Sequence, residues 1–222
     1  MNVSSLIPVR TNVGLEVLWE DGERIFCRGR HPDAQGKFGN ALFVMLSAEH
    51  PTAVSLDRLV HEYALRDELD KSWAVRPLAL LRERGRTVLV LEDPLSEPIE
   101  RLLGAPMEPG RFLRLGISVA AALAQLHRRG LIHKDLKPAN VLINPATEAV
   151  KLTGFGIASR LSREWQALKP PETIAGTLPY MAPEQTGRMN RSIDSRCDLY
   201  ALGVTFYQML TGMLPFTAAD PM

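Results

Sequence analysis

The hydrophobic pattern divides the chain into a strand-rich front part and a helix-rich back part. Five short apolar runs separated by turn signals predict strands, at residues 13–19, 24–28, 41–46, 75–82 and 86–91. The turns between the first two runs and between the last two predict two β-hairpins, and residues 30–40 are rich in turn signals. Apolar residues at helical spacings predict one amphipathic helix at residues 56–69.

The back part starts after residues 92–94. Residues 111–129 form a predicted long helix that ends at Gly130, and apolar residues on almost every side of it predict complete burial. A second buried helix is predicted at residues 198–210, and residues 154–184 have the composition of a long loop. We therefore expect an α+β protein of two lobes, formed by residues 1–94 and 95–222.

Composition narrows the class of protein. The chain has 222 residues, 45% of them hydrophobic, and a net charge of +1, which argues against a dedicated nucleic-acid binder. No apolar run approaches the roughly 20 residues of a membrane-spanning helix, so we expect no membrane segment. The two cysteines, Cys27 and Cys197, match neither a disulfide framework nor a zinc-ligand spacing, which predicts a cytoplasmic protein.

Residues 131–144 read LIHKDLKPANVLIN and carry the candidate chemistry. Phosphoryl transfer needs a carboxylate that orients the attacking hydroxyl, a cation near the phosphate and a ligand for magnesium. Asp135, Lys137 and Asn140 supply these three types within six residues. The run resembles the catalytic loop of a protein kinase, H-R-D-L-x-x-x-N. The resemblance implies that Asp135 is the catalytic base and that Lys137 faces the phosphate. It also implies that Asn140 binds magnesium and belongs to the binding site of the nucleotide cofactor.

Three further features extend this resemblance to most of the chain. Lysine two residues after Asp135 is typical of serine/threonine kinases, and GTLPYMAPE at 176–184 resembles the end of an activation segment, where Thr177 touches Asp135 and Lys137. The run DLYALG that starts at Asp198 resembles the helix whose buried aspartate steadies the catalytic loop. Residues 182–196 resemble the N-terminal kinase-like domain of large bacterial multidomain signalling proteins, which also contain ATPase, sensor and histidine kinase modules.

Other positions depart from the kinase pattern. Gly154 stands where the metal-binding aspartate of Asp-Phe-Gly is expected, and Val44 replaces the lysine of the third strand. Glu62 lies where the glutamate partner of that lysine belongs, although a solvated helix carboxylate explains it equally well. The glycines of residues 20–39 have the wrong spacing for a phosphate-covering loop.

The segment between the lobes also differs. In kinases this segment offers a backbone carbonyl to adenine and, two residues later, a backbone N–H. Glu92 is the residue that would offer the carbonyl, so it is a candidate cofactor-binding position. The donor position falls on Pro94, and proline has no N–H.

These observations favour a two-lobed protein-kinase-like fold whose helical C-lobe is cut short after the helix that contains Asp198. The first interpretation is a pseudokinase-type regulatory module that binds a protein partner or downstream domains of a larger signalling protein. One alternative is an active serine/threonine kinase that uses ATP and Mg²⁺. The other is a truncated fragment of a larger sensor kinase without a function of its own.

Overall fold

The computed structural model describes residues 15–33, 35–83, 85–160, 175–186 and 192–216. These residues form two compact units. The first unit lies within Met1–Asp70 and Val75–Leu95, and the second lies within Lys71–Ala74 and Ser96–Met222. The stretch Lys71–Ala74 belongs to the second unit because Leu152 N donates to Trp73 O at 2.8 Å.

The first unit contains a five-stranded antiparallel sheet in the order β1-β2-β3-β5-β4. Its strands are β1 (Glu16–Glu20), β2 (Arg24–Pro32), β3 (Phe38–Leu46), β4 (Pro77–Glu83) and β5 (Arg86–Glu92). Both predicted hairpins are present. The turn-rich stretch at 30–40 is mostly strand, because β2 and β3 stay paired from Arg24↔Leu46 to Pro32↔Phe38.

One helix, α1 (Ala53–Ala64), packs against β4 and β5 in this unit. It starts earlier than its apolar periodicity predicts because Thr52 caps it, its hydroxyl accepting from Ser55 N at 3.1 Å. It also ends at Ala64, five residues before the predicted end at residue 69. The buried side of α1 carries Leu59 and Glu62.

The two faces of the sheet are both apolar. One face holds a buried cluster made of Cys27, Ala41, Phe43, Met45, Val88 and Val90. On the other face, the strand register places Trp19, Phe26, Val44 and Leu89 in one row across four strands. All four side chains of this row are buried, so the sheet contributes apolar packing on both sides.

The second unit is built on two long helices, α2 (Pro109–Arg128) and α3 (Arg196–Thr211). Short strands complete it: β6 (Glu97–Pro98), β7 (Leu131–Ile132), β8 (Val141–Ile143), β9 (Val150–Leu152) and β10 (Ser159–Arg160). They form one sheet in the order β6-β8-β9 and a second pair, β10-β7. The two helices meet where the rings of Phe112 and Phe206 lie edge to face, with centroids 5.3 Å apart.

The prediction that α2 is buried on every side is wrong. Leu115 and Leu123 are buried, but Leu113 and Ile117 are 58% and 69% exposed. The helix is therefore amphipathic, because its neighbours cover only one of its apolar sides. None of the helices within the described residues is long and apolar enough to cross a membrane.

Candidate catalytic loop

Residues 133–140, here called the catalytic loop, connect β7 to β8 and are anchored by α3. The carboxylate of Asp198 is fully buried and accepts hydrogen bonds from His133 N, Lys134 N and His127 Nε2, each at 2.8 Å. A buried carboxylate needs such donors, because a charge without partners is costly in an apolar interior. The neighbouring Cys197 is also buried, and burial together with Asp198 raises the pKa of its thiol.

His133 is a structural residue of this loop. Its Nδ1 accepts from Asp135 N at 3.3 Å and its Nε2 donates to Thr153 O at 3.0 Å. Only the neutral tautomer with the proton on Nε2 satisfies both bonds. The imidazole therefore joins the loop to the chain that follows β9.

The structure brings together the three residues that the sequence proposes for the site. Thr177 Oγ1 donates to Asp135 Oδ1 at 2.8 Å, and Lys137 Nζ donates to Thr177 Oγ1 at 2.9 Å. Lys137 Nζ also lies 3.7 Å from Asp135 Oδ2. Asn140 Nδ2 donates to both the backbone carbonyl and Oδ2 of Asp135, at 2.8 and 3.1 Å. The Asp135 carboxylate thus lies in a cluster with Thr177, Lys137 and Asn140.

A side chain at position 154 would have to displace the amide of Asn140. Gly154 has a backbone φ of 80°, which L-residues rarely adopt. A Cβ placed there would lie 2.6 Å from Asn140 Cγ and 2.8 Å from Asn140 Nδ2. The buried amide of Asn140 fills the space next to Gly154 while it holds Asp135.

These residues do not fit the magnesium site of a protein kinase. Mg²⁺ prefers oxygen ligands in a near-octahedral arrangement, usually with one or two carboxylates. Of the two positions to which the resemblance assigns magnesium, Gly154 supplies no carboxylate, and Asn140 is buried with its amide nitrogen donating to Asp135. Across the described ranges, no three His, Cys, Asp or Glu side chains gather in a way that holds a metal ion.

In the first unit, Val44 lies in the middle of the apolar row. The rings of Trp19 and Phe26 stack in this row with centroids 4.6 Å apart, and Val44 pairs with Phe26 on one side and Leu89 on the other. Glu62 is only 2% exposed, so its interpretation as a solvated helix carboxylate is wrong. The sequence alone does not reveal this burial, because the apolar spacing within α1 does not show which other elements pack over Glu62.

The turn between β1 and β2 is closed by Asp21 within it and by Ser47, which follows β3. The Asp21 carboxylate accepts from Glu23 N at 3.2 Å and from Arg24 N at 2.8 Å, and it forms an ion pair with the Arg24 guanidinium. Ser47 Oγ donates to the carbonyls of Gly22 and Glu23, at 3.1 and 3.0 Å. The backbone N–H groups of Glu23 and Arg24 are therefore already paired with the Asp21 carboxylate.

The segment after β5 is held by an ion pair that sequence analysis missed. The Asp93 carboxylate is buried and accepts from Arg28 Nε at 2.6 Å and from Leu95 N at 2.9 Å. This hydrogen bond raises the pKa of Arg28. At the candidate position Glu92, the backbone N–H donates to Arg76 O at 2.9 Å. Arg28 and Asp93 are 65 residues apart in the sequence, so no local sequence pattern predicts their contact.

The fold and the loop geometry define a kinase-like domain of the serine/threonine type, and comparison with known proteins agrees. The family model described as "Protein kinase domain" matches residues 43–222. The chain therefore belongs to the protein kinase family, and the predicted resemblance and the α+β kinase-like fold are confirmed.

Individual bacterial relatives give the same result. The chain is 40% identical over 134 residues to serine/threonine-protein kinase Pkn1 of Myxococcus xanthus, a match that covers 59% of this chain and 19% of the relative. It is 40% identical over 116 residues to serine/threonine-protein kinase PknB of Mycobacterium tuberculosis, covering 52% of the chain and 18% of the relative. It is 34% identical over 176 residues to pkn2 of Myxococcus xanthus, covering 78% and 21%. The matched segment spans about a fifth of each relative's length.

Proposed function

We propose that this kinase-like domain is a pseudokinase-type regulatory module that binds a protein partner or other domains of a larger signalling protein. The observation that carries the proposal is the contact between Gly154 and Asn140. The carboxylate that would hold magnesium is missing, and the amide of Asn140 fills the place where it would begin. In this proposal, Asp135, Lys137 and Asn140 hold the loop in shape and do not carry out a reaction.

The size of the expected catalytic loss supports this proposal. Removal of one preorganised charge-stabilising group typically lowers a rate by about 10²–10³, or roughly 2.7–4 kcal/mol. This chain lacks two such groups, with Gly154 at the metal position and Val44 at the lysine position. Although such effects are not additive, a kinase that turns over at about 1–100 per second would lose several decades of rate.

The first unit provides independent support. The side chains of the apolar row carry no charge, and in the turn after β1 the N–H groups of Glu23 and Arg24 are paired with Asp21. At the segment after β5, Pro94 has no N–H to donate and Asp93 is held by Arg28. Each of these features removes an interaction that a nucleotide uses in a kinase, so we expect neither ATP nor Mg²⁺ as a cofactor.

A protein partner is the ligand class that the proposal favours. Leu113 and Ile117 lie one turn apart on α2 and are among the most exposed large apolar side chains described. Exposed apolar groups of this kind are typical of surfaces that contact other protein segments. The net charge of +1 gives no support to a nucleic-acid partner, and we propose a cytoplasmic location.

The test is a calorimetric titration of the chain with ATP, with and without Mg²⁺. An active serine/threonine kinase domain is titrated in parallel as the positive control. We expect no saturable binding up to millimolar ATP in either condition. Saturable binding that strengthens when Mg²⁺ is added would contradict the proposal, because other residues would then supply the missing ligands.

One observation favours a second candidate, an active serine/threonine kinase. The contacts among Asp135, Thr177 and Lys137 keep a carboxylate and a cation side by side, as a phosphotransferase needs. The relatives with about 40% identity are also named serine/threonine-protein kinases. A phosphotransfer measurement on the wild type and on an Asp135 variant separates the two candidates.

A further inference from the structure

The backbone of the catalytic loop bends at Lys134. This residue has a φ of 68°, the left-handed region that L-residues other than glycine rarely adopt. Its N–H donates to Asp198 Oδ1 at 2.8 Å, and its carbonyl accepts from Gln185 Nε2 at 2.8 Å. The peptide groups on either side of the unfavourable torsion are thus held by two side chains from different elements.

Two hydrogen bonds fix the orientation of the Gln185 side-chain amide. It lies in the short 3-10 helix Pro183–Thr186 and is only 3% exposed. Its Oε1 accepts from Ala182 N at 3.1 Å while its Nε2 donates to the Lys134 carbonyl. Rotation of the amide by 180° would place oxygen against a carbonyl and nitrogen against an N–H, so both bonds fix the same orientation.

The same segment touches the loop at a second point. A Cβ at Gly176 would lie 3.3 Å from Lys134 O and 3.7 Å from Asp135 Oδ1, so the chain passes close to this peptide. The next residue, Thr177, donates to the Asp135 carboxylate. Residues 175–186 therefore contact the Lys134 carbonyl through Gln185 and the Asp135 carboxylate through Thr177.

We propose that Gln185 is a positioning residue that couples residues 175–186 to the Asp135 carboxylate. Its hydrogen bond keeps the backbone of Lys134 in the left-handed conformation. This conformation sets the direction of the Asp135 side chain. The coupling does not depend on nucleotide or phosphotransfer, so it stands whether or not the proposed pseudokinase function is correct.

The test is hydrogen–deuterium exchange on the whole chain, without nucleotide, for the wild type and Gln185→Met. Methionine keeps the volume of the side chain and removes both hydrogen bonds. We expect the amides of Lys134 and Asp135 to exchange at least tenfold faster, while the amides of α3 change less than twofold. Gln125→Met, at an exposed position of α2, is the matched control and should change neither set.

A purely structural role for Gln185 predicts a different result. Exchange would then rise equally in the loop, α2 and α3, and this outcome would overturn the proposal, as would loop exchange within twofold of the wild type. If Gln185→Met does not fold, Gln185→Glu serves in its place, because it keeps an acceptor for Ala182 N and loses the donor to Lys134.

A second arm tests the left-handed residue itself. Glycine adopts a positive φ without strain, so Lys134→Gly should reduce the effect of Gln185→Met on exchange at Asp135 to less than threefold. Lys134→Ala removes the same side chain but keeps the strain, and it should leave the tenfold effect intact. Equal effects of Gln185→Met in both backgrounds would contradict the coupling.

Discussion

The catalytic loop of the second unit keeps the residues of the kinase pattern, whereas the sheet of the first unit departs from that pattern. In the loop, Asp135, Lys137 and Asn140 are all present; Asp135 and Lys137 are hydrogen-bonded to Thr177, and Asn140 is hydrogen-bonded to Asp135. In the sheet, the position expected for a lysine is Val44, packed in an apolar row. The kinase-pattern residues of the loop thus also hold the loop in shape, whereas the sheet position expected for the lysine carries an apolar side chain that packs in the row.

A catalytic-loop motif does not by itself establish catalysis, because the same residues also hold the loop in shape. The Asn140 amide bonds the Asp135 carbonyl, and Asp198 holds the start of the loop from α3. A domain that needs this loop only as a stable surface needs the same residues. The contrast also predicts that substitutions in the loop act on stability, whereas substitutions in the sheet that add charge act by disturbing an apolar core.

The largest expected effect is that of Asp198→Ala. The change leaves the N–H groups of His133 and Lys134 buried without their acceptor, and we expect a loss of about 3–5 kcal/mol in the free energy of unfolding. Chemical denaturation followed by circular dichroism measures it. Asp67→Ala, at a carboxylate with 79% side-chain exposure, is the control and should stay within about 0.5 kcal/mol. A loss below about 1 kcal/mol for Asp198→Ala would contradict the anchoring role given to this residue.

Val44→Lys tests the sheet side of the comparison. It places an ammonium group in the row between Phe26 and Leu89, and we expect a loss of about 2–4 kcal/mol. Val54→Lys, at a position of α1 that is 61% exposed, introduces the same side chain in water and should change stability by less than about 0.5 kcal/mol. If Val44→Lys left the melting temperature unchanged, the apolar row would still be able to accept a kinase lysine.

Gly154→Asp tests whether position 154 only lacks a carboxylate for magnesium or whether the Asn140 amide also keeps a carboxylate from being placed there. Both Gly154 and Gly36 have φ near 80°, but a Cβ at Gly36 meets nothing within 4 Å. We expect Gly36→Asp to cost about 1 kcal/mol for the backbone alone and Gly154→Asp to cost about 2–3 kcal/mol, because Asn140 must move. Thermal unfolding with and without Mg²⁺ measures both. A rise in melting temperature of the Gly154 variant on Mg²⁺ addition would show that the site accepts a metal ligand after all.

Local patterns predicted much of this molecule. The two hairpins, the long helices and the catalytic loop follow from apolar spacing, turn residues and one motif, which are all properties of neighbouring residues. The limits of α1 were missed because its start depends on the Thr52 cap, and the open side of α2 was missed because Leu113 and Leu115 look alike in sequence.

The long-range contacts of the site could not be predicted in the same way. The sequence shows that position 154 lacks a carboxylate, but only the folded chain shows that Asn140 occupies the adjacent space. The contacts between Arg28 and Asp93 and between Gln185 and Lys134 join residues 65 and 51 positions apart. Such pairs depend on how the elements pack, which apolar periodicity does not specify.

The most direct test of the central claim is a phosphotransfer assay on the wild type and Asp135→Asn, with phosphorylated residues identified by mass spectrometry. Asparagine keeps the shape of Asp135 and an acceptor for Thr177 but loses the acceptor for Asn140 Nδ2, so circular dichroism is used first to establish that the variant is folded. The account predicts no transfer from ATP to the chain itself or to a general protein substrate by either protein. Transfer by the wild type that is lost in Asp135→Asn would contradict it and would identify the domain as an active kinase.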